Sequence, residues 1–209
     1  MIRMNATSRK SRIGRKVRMS ERDYLRRVDA PGSVSEIFDG VLQVSPSPIP
    51  SHSYWQRLIF RHLDQYSILN PRSINYVDQD NDVVIGGRAG ATRPRPDITA
   101  YRDFPSLEEL VKRDDWSYFC PILVVEIVSR RRIKKDIERN RNLYWAAGGI
   151  AEYWIVDPTK DAKRPTMTAL YRLIGRPDWT QKRFAFTDEY QSSVLEGLSI
   201  CLKELHARR

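Results

Sequence analysis

Cysteine is nearly absent. Cys120 and Cys201 are the only two in 209 residues and share no CxxC spacing, so neither a disulfide framework nor a zinc site is suggested, and both read as reduced packing residues. Long apolar runs are missing as well. No segment approaches the roughly 20 residues that span a bilayer, and the basic start is not followed by an apolar signal stretch. The chain is therefore expected to be soluble and cytoplasmic, with no membrane partner. No internal repeat is visible. Acid is scarce relative to base: 36 Lys plus Arg against 26 Asp plus Glu give a net charge of +10 and a pI near 9.8, which favours polyanionic partners. That charge selects a partner class, not a reaction.

The excess is uneven. The first 20 residues hold seven basic side chains (Arg3, Arg9, Lys10, Arg12, Arg15, Lys16, Arg18) and no acid. Residues 1–19 read as a solvated, poorly ordered basic tail, and 20–209 as one domain, since 41% hydrophobic content over this length supplies one core.

Ser20 is placed to cap a short helix over "ERDYLRRV", and the Asp39-Gly40 turn joins two short strands on either side of it. Pro46, Pro48 and Pro50 end the second. From Ser51, Tyr54, Trp55, Leu58, Ile59, Leu63 and Tyr66 recur at helical spacing. "NDVVIGG" reads as a strand stopped by Gly86 and Gly87, "RAGATRPR" as a mobile connection, and "PDITAYRD" as a strand starting near Asp97. A short helical piece is expected at "SLEELVK". Residues 121–128 are apolar at nearly every position and read as a strand buried on both faces. The stretch after it is broadly helical and stops at Gly148-Gly149, "AEYWIVDP" is the next strand, and strand patterns with a short C-terminal segment follow. The class is α/β (α+β): a central sheet with flanking helices, an N-terminal hairpin and C-terminal strands.

One acid interrupts the buried run. Glu126 lies among Ile122, Leu123, Val124, Val125, Ile127 and Val128, where an unpaired carboxylate costs several kcal/mol. Two readings stand: a salt bridge to Arg130, Arg131, Arg132 or an N-terminal arginine, or a functional acid. Asp97 favours the second. It follows Pro96 at the edge of a neighbouring strand, and strands about 5 Å apart can bring two carboxylates to one point. Two carboxylates with water and a backbone carbonyl suit Mg²⁺ or Mn²⁺. Asp97 alone would also serve as a turn residue bonding its own backbone.

"PD" at 96–97 with "VVEIVS" at 124–129 resembles the PD-(D/E)XK nuclease superfamily. A longer pattern, "EIFDG" (36–40), "PSPIPSH" (46–52), "RPDI" (95–98), "LVVEIVS", Tyr144, "EYWIVDP" (152–158) and "GLSICLKEL" (197–205), runs in the order of its Uma-two family. The likeness spans roughly 20–205. It implies a restriction-endonuclease-like core with a mixed, mainly four-stranded sheet, a metal-dependent endonuclease activity on DNA, and Asp97, Glu126 and the Ile127 carbonyl as metal ligands. Double-strand cleavage on this fold commonly uses two active sites, so a homodimer is implied too. Two departures stand out. The superfamily lysine position is Val128, and the family's alternative, four residues before Tyr144, is Asn140.

Lys134 and Lys135 precede Asp136, the acid that the family also places at this helix start; Lys135 is the substitute cation chosen, against the reading of an exposed basic helix start. Asn140 is left to hydrogen-bond a water or ligand. His52 and Glu36 match the family's histidine and early acid. The first reads as a capping or surface residue, sharing no metal-ligand spacing with His62 or His206, and the second as a hairpin glutamate facing solvent. Trp145, Tyr153 and Trp154 read as core rather than base-stacking groups. The alternatives to an endonuclease are a catalytically degenerate nuclease-fold protein that binds nucleic acid, and a structural protein whose Glu126 is paired by arginine.

Overall fold

The structure is a computed structural model that describes residues 17–113, 116–129 and 134–208, without the side chains of 134–136. Residues 1–16 of the expected tail lie outside it, but Val17–Arg18 form β1, so regular structure reaches back beyond residue 20. Ser20 caps α1 (Glu21–Leu25) by accepting from the Asp23 amide. β2 (Ser33–Phe38) and β3 (Val41–Pro46) then pair antiparallel around Asp39 and Gly40, both at positive φ, as an Asp-Gly turn requires. β1 adds to β3 in this three-stranded sheet.

α2 (Pro50–Leu69) opens with proline in its first turn. β4 (Tyr76–Gln79), β5 (Ile98–Tyr101) and the short α3 (Leu107–Leu110) lead to β6 (Leu123–Ile127), α4 (Lys134–Ala146) and β7 (Glu152–Asp157). β8 (Thr166–Tyr171), β9 (Thr180–Phe184), β10 (Glu189–Gln191), β11 (Ser199–Cys201) and α5 (Leu202–Ala207) complete the chain. The main sheet has the order β4-β5-β6-β7-β8-β9. It is mixed: β6 and β7 are parallel across the α4 crossover and the other neighbours antiparallel. The sheet thus holds six strands rather than mainly four.

Alternation along β6 divides the core. Leu123, Val125 and Ile127 pack with Trp55, Ile59 and Leu63 of α2, while Val124 joins Leu143 and Tyr144 of α4. Burial of each such aliphatic side chain contributes about 1.5–3 kcal/mol. Glu126 shares the α4 side with Val124.

Two segments differ from the sequence expectation. Residues 81–87 form no strand: Val83 and Ile85 donate to the carbonyls of Pro94 and Thr92, but Pro94 has no N–H to return, so no ladder forms. The expected mobile connection is packed. Arg93 is 1% exposed, exchanges backbone hydrogen bonds with Ile37 and pairs with Glu21, and a Cβ on Gly90 would lie 2.7 Å from the Asp39 carbonyl carbon. Tyr153 and Trp154 are core residues as expected and Trp145 is partly buried. The two cysteines are free, though Cys120 is exposed rather than packed.

Candidate active site

The site forms where β5 and β6 stop pairing. The register Ile98↔Val125 places Pro96 opposite Ile127, and proline cannot continue the ladder. The carboxylate of Asp97 takes the vacated role: Asp97 Oδ2 accepts the Ile127 N–H at 2.6 Å. The same oxygen lies 3.1 Å from His52 Nε2, in the first turn of α2. Asp97 Oδ1 accepts no hydrogen bond from the described residues. His52 is 5% exposed, which overturns its reading as a capping or surface residue. Its ring is buried because the helix start is pinned against this carboxylate.

Gln56, one turn along α2, donates to the Asp97 carbonyl at 2.9 Å and to Asp80 Oδ1 at 3.3 Å. Asp80 sits at φ +57° just past β4. Burial, and then the charge of Asp97, push its carboxyl above the usual range. Sequence reasoning missed Asp80; its one signal was the alternation of acids at 78, 80 and 82.

Glu126 projects from β6 toward α4, where Asn140 Nδ2 and the Tyr144 hydroxyl both donate to its Oε1, at 3.0 and 2.9 Å. These neutral donors are among its partners, whereas the expected salt bridge to 130–132 concerns residues outside those described. Asn140 is buried and donates to the Glu126 carboxylate. Tyr144, noted in the sequence only as a marker of spacing, is fully buried; burial and the charges of Glu126 and Glu36 raise its phenol well above the ordinary range.

Glu36 is 1% exposed, not a solvent-facing hairpin residue, and accepts the Arg95 N–H at 3.0 Å. The Ile37–Arg93 bridge joins the β2–β3 hairpin to the segment that leads into β5. Lys135 is the second residue of α4, with its side chain outside the described residues.

Asp97, Glu126, Ile127 and Asn140 therefore meet at one end of β6. The donor set is hard oxygen: the open Oδ1 of Asp97, the Glu126 carboxylate, and the Ile127 carbonyl, which leaves an extended strand on the same side as the N–H held by Asp97. Among the described residues no three His, Cys, Asp or Glu side chains form a complete metal cage. Such a set fits Mg²⁺, which keeps waters and takes one or two carboxylates plus phosphate oxygens.

Residues 22–203 match the sequence model of a family described as "Uma2: Putative restriction endonuclease". Among solved structures, the chain is similar to "a putative nuclease belonging to DUF820 from Anabaena variabilis ATCC 29413", at 16% identity and a TM-score of 0.63, over 90% of this chain and 98% of that one. At that identity the likeness speaks to the fold alone, a mixed sheet flanked by helices. No curated protein matches the chain, and among the described residues no helix is long and apolar enough to cross a membrane.

Proposed function

This chain belongs to the Uma2 family of restriction-endonuclease-like proteins, and on that premise we propose that it is a metal-dependent endonuclease hydrolysing phosphodiester bonds of DNA. One observation carries the reading: two buried acids, Asp97 and Glu126, stand at the ends of adjacent central strands, with Asp97 fastened to the Ile127 amide next to Glu126. Asp97, Glu126 and the Ile127 carbonyl would hold Mg²⁺ or Mn²⁺. Such an ion, when bound, lowers the pKa of a water and offsets charge on the scissile phosphate.

The protein's own contribution is placement. His52 and the Ile127 N–H fix Asp97 so that one oxygen stays open, and Asn140 and Tyr144 fix Glu126. The net charge of +10 draws the polyanionic strand, and Lys135, at the head of α4, is the candidate substitute for the family's lysine. A second copy of the chain would supply the second cut of a duplex.

A second reading is a nuclease-fold protein that binds DNA without cutting it. It is favoured by Asn140, which offers Glu126 an amide rather than an ammonium group. Calorimetric titration of Mn²⁺ into the wild type, Asp97→Asn and Glu126→Gln separates the two. Binding to the wild type that both substitutions weaken at least tenfold supports the enzyme, and cleavage of plasmid DNA should follow the same order. A folded wild type that binds DNA but takes up no Mn²⁺, with or without DNA present, leaves the binder.

A further inference from the structure

An asparagine beside a carboxylate can help or harm. Presented by its nitrogen, the amide donates and stabilises the charge; presented by its oxygen, it repels it. A second contact, on the other side of Asn140, fixes the same orientation. Arg139 Nε donates to Asn140 Oδ1 at 3.1 Å. A guanidinium has no acceptor, so it donates only to the oxygen end of the amide and turns the nitrogen toward Glu126 Oε1, 3.0 Å away.

The same guanidinium also holds the hairpin. Its Nη1 donates to Gln43 Oε1 at 2.8 Å, and its central carbon lies 3.6 Å from the centroid of the Phe38 ring. Gln43 is the direct cross-strand partner of Glu36, and Phe38 stands two residues beyond Glu36 on β2, so all three side chains leave the same face of the hairpin. Arg139 thus grips the hairpin on the face that carries one buried acid while orienting the amide that serves another.

Resting on the endonuclease reading of this site, we propose that Arg139 is a positioning residue: it orients Asn140 toward Glu126 and clamps the β2–β3 hairpin, with Glu36, against α4. Its guanidinium polarises the amide that donates to Glu126, and its planar fork does this while stacked on an aromatic ring. Lysine, a single point charge without the fork, cannot serve Gln43 and Asn140 from one stacked position.

The test compares Arg139→Gln and Arg139→Lys with Arg141→Gln. The last removes the same charge two positions along, from a side chain that pairs with exposed Asp178. The first readout is the side-chain amide of Asn140 in ¹⁵N spectra of the full chain. Both Arg139 variants should move its two proton shifts toward the values of a solvated amide, and Arg141→Gln should leave them in place. The second is Mn²⁺ affinity, expected to fall about tenfold in Arg139→Gln, as for loss of other groups that hold a metal ligand, and to stay unchanged in Arg141→Gln. An unmoved Asn140 amide in Arg139→Lys, or equal losses of affinity in the 139 and 141 variants, overturns the proposal. If the wild type takes up no Mn²⁺, the endonuclease reading falls, and the amide shifts still decide the role of Arg139.

Discussion

Replacing Tyr144 by phenylalanine removes one oxygen from the site and leaves the packing in place. The ring is fully buried and meets Tyr153 edge-on, with centroids 5.0 Å apart, contacts that phenylalanine keeps. The lost hydroxyl donates to Glu126 Oε1 at 2.9 Å. A hydrogen bond to a charged group is worth about 1.5–3 kcal/mol, and because Asn140 remains on the same oxygen the expected loss is about 2 kcal/mol. In a chain of this length 1 kcal/mol corresponds to about 2–4 °C, so the melting temperature should fall by about 4–8 °C. The urea midpoint should shift with an unchanged m value. The decisive form is a double-mutant cycle with Glu126→Gln, which should show coupling of about 1 kcal/mol or more. Because Tyr144 stays protonated well beyond the ordinary tyrosine range, the loss should be equal at pH 7 and pH 9. A loss below about 0.5 kcal/mol, or one undiminished in the Glu126→Gln background, would refute the view that the hydroxyl acts through the carboxylate.

Asn140→Ala should weaken Mn²⁺ binding by about 10- to 100-fold in calorimetry, as expected when a group orienting a metal ligand is lost, and Asn140→Asp should be worse because it sets a second carboxylate against Glu126. Three buried acids should contribute stability that falls as pH rises above about 4, against the opposite contribution of His62, whose imidazole burial holds below its ordinary value. Asp80, Asp82 and Glu152 all have carboxyls raised chiefly by burial, so between their ordinary and folded values the native state holds protons that the unfolded chain has released. Chemical denaturation across pH 4–7 should isolate the Asp80 share: in Asp80→Asn stability should fall less with rising pH than in the wild type. Gly90→Ala should cost about 1–3 kcal/mol, because its Cβ would press on the Asp39 and Gly40 backbone within 2.8 Å; Gly86→Ala, with open space around it, should leave the urea midpoint unmoved.

Local chemistry made the hairpin legible: an Asp-Gly pair between alternating segments has few other uses. The apolar run at 121–128 marked a strand covered on both faces, and Glu126, its one acid, stood out against it. What the sequence hid depends on partners distant in the chain. Glu36, His52 and Arg93 look like surface residues because their types usually are, and each is buried beside a contact with a segment 45 to 72 residues away. The strand expected at 81–87 failed for a similar reason. Its β-branched residues fit the pattern, but the segment facing it carries prolines that cannot complete a ladder, while the polar "YVDQ" found β5 instead. Tyr144 was visible as a position and not as a donor, since only the α4 crossover brings it under Glu126.

An amide bonded by a side chain is released when that side chain lets go, whether or not the sheet opens. The Ile127 N–H is such an amide, held by Asp97 at the point where pairing ends. Its hydrogen exchange should therefore follow the fortunes of one carboxylate, separately from the deep protection of Val124 and Val125 beside it. A ligand that drew Asp97 away would hasten that exchange, and one that fixed it would slow it. The strand thus carries a gauge of its own acid, readable without a substrate.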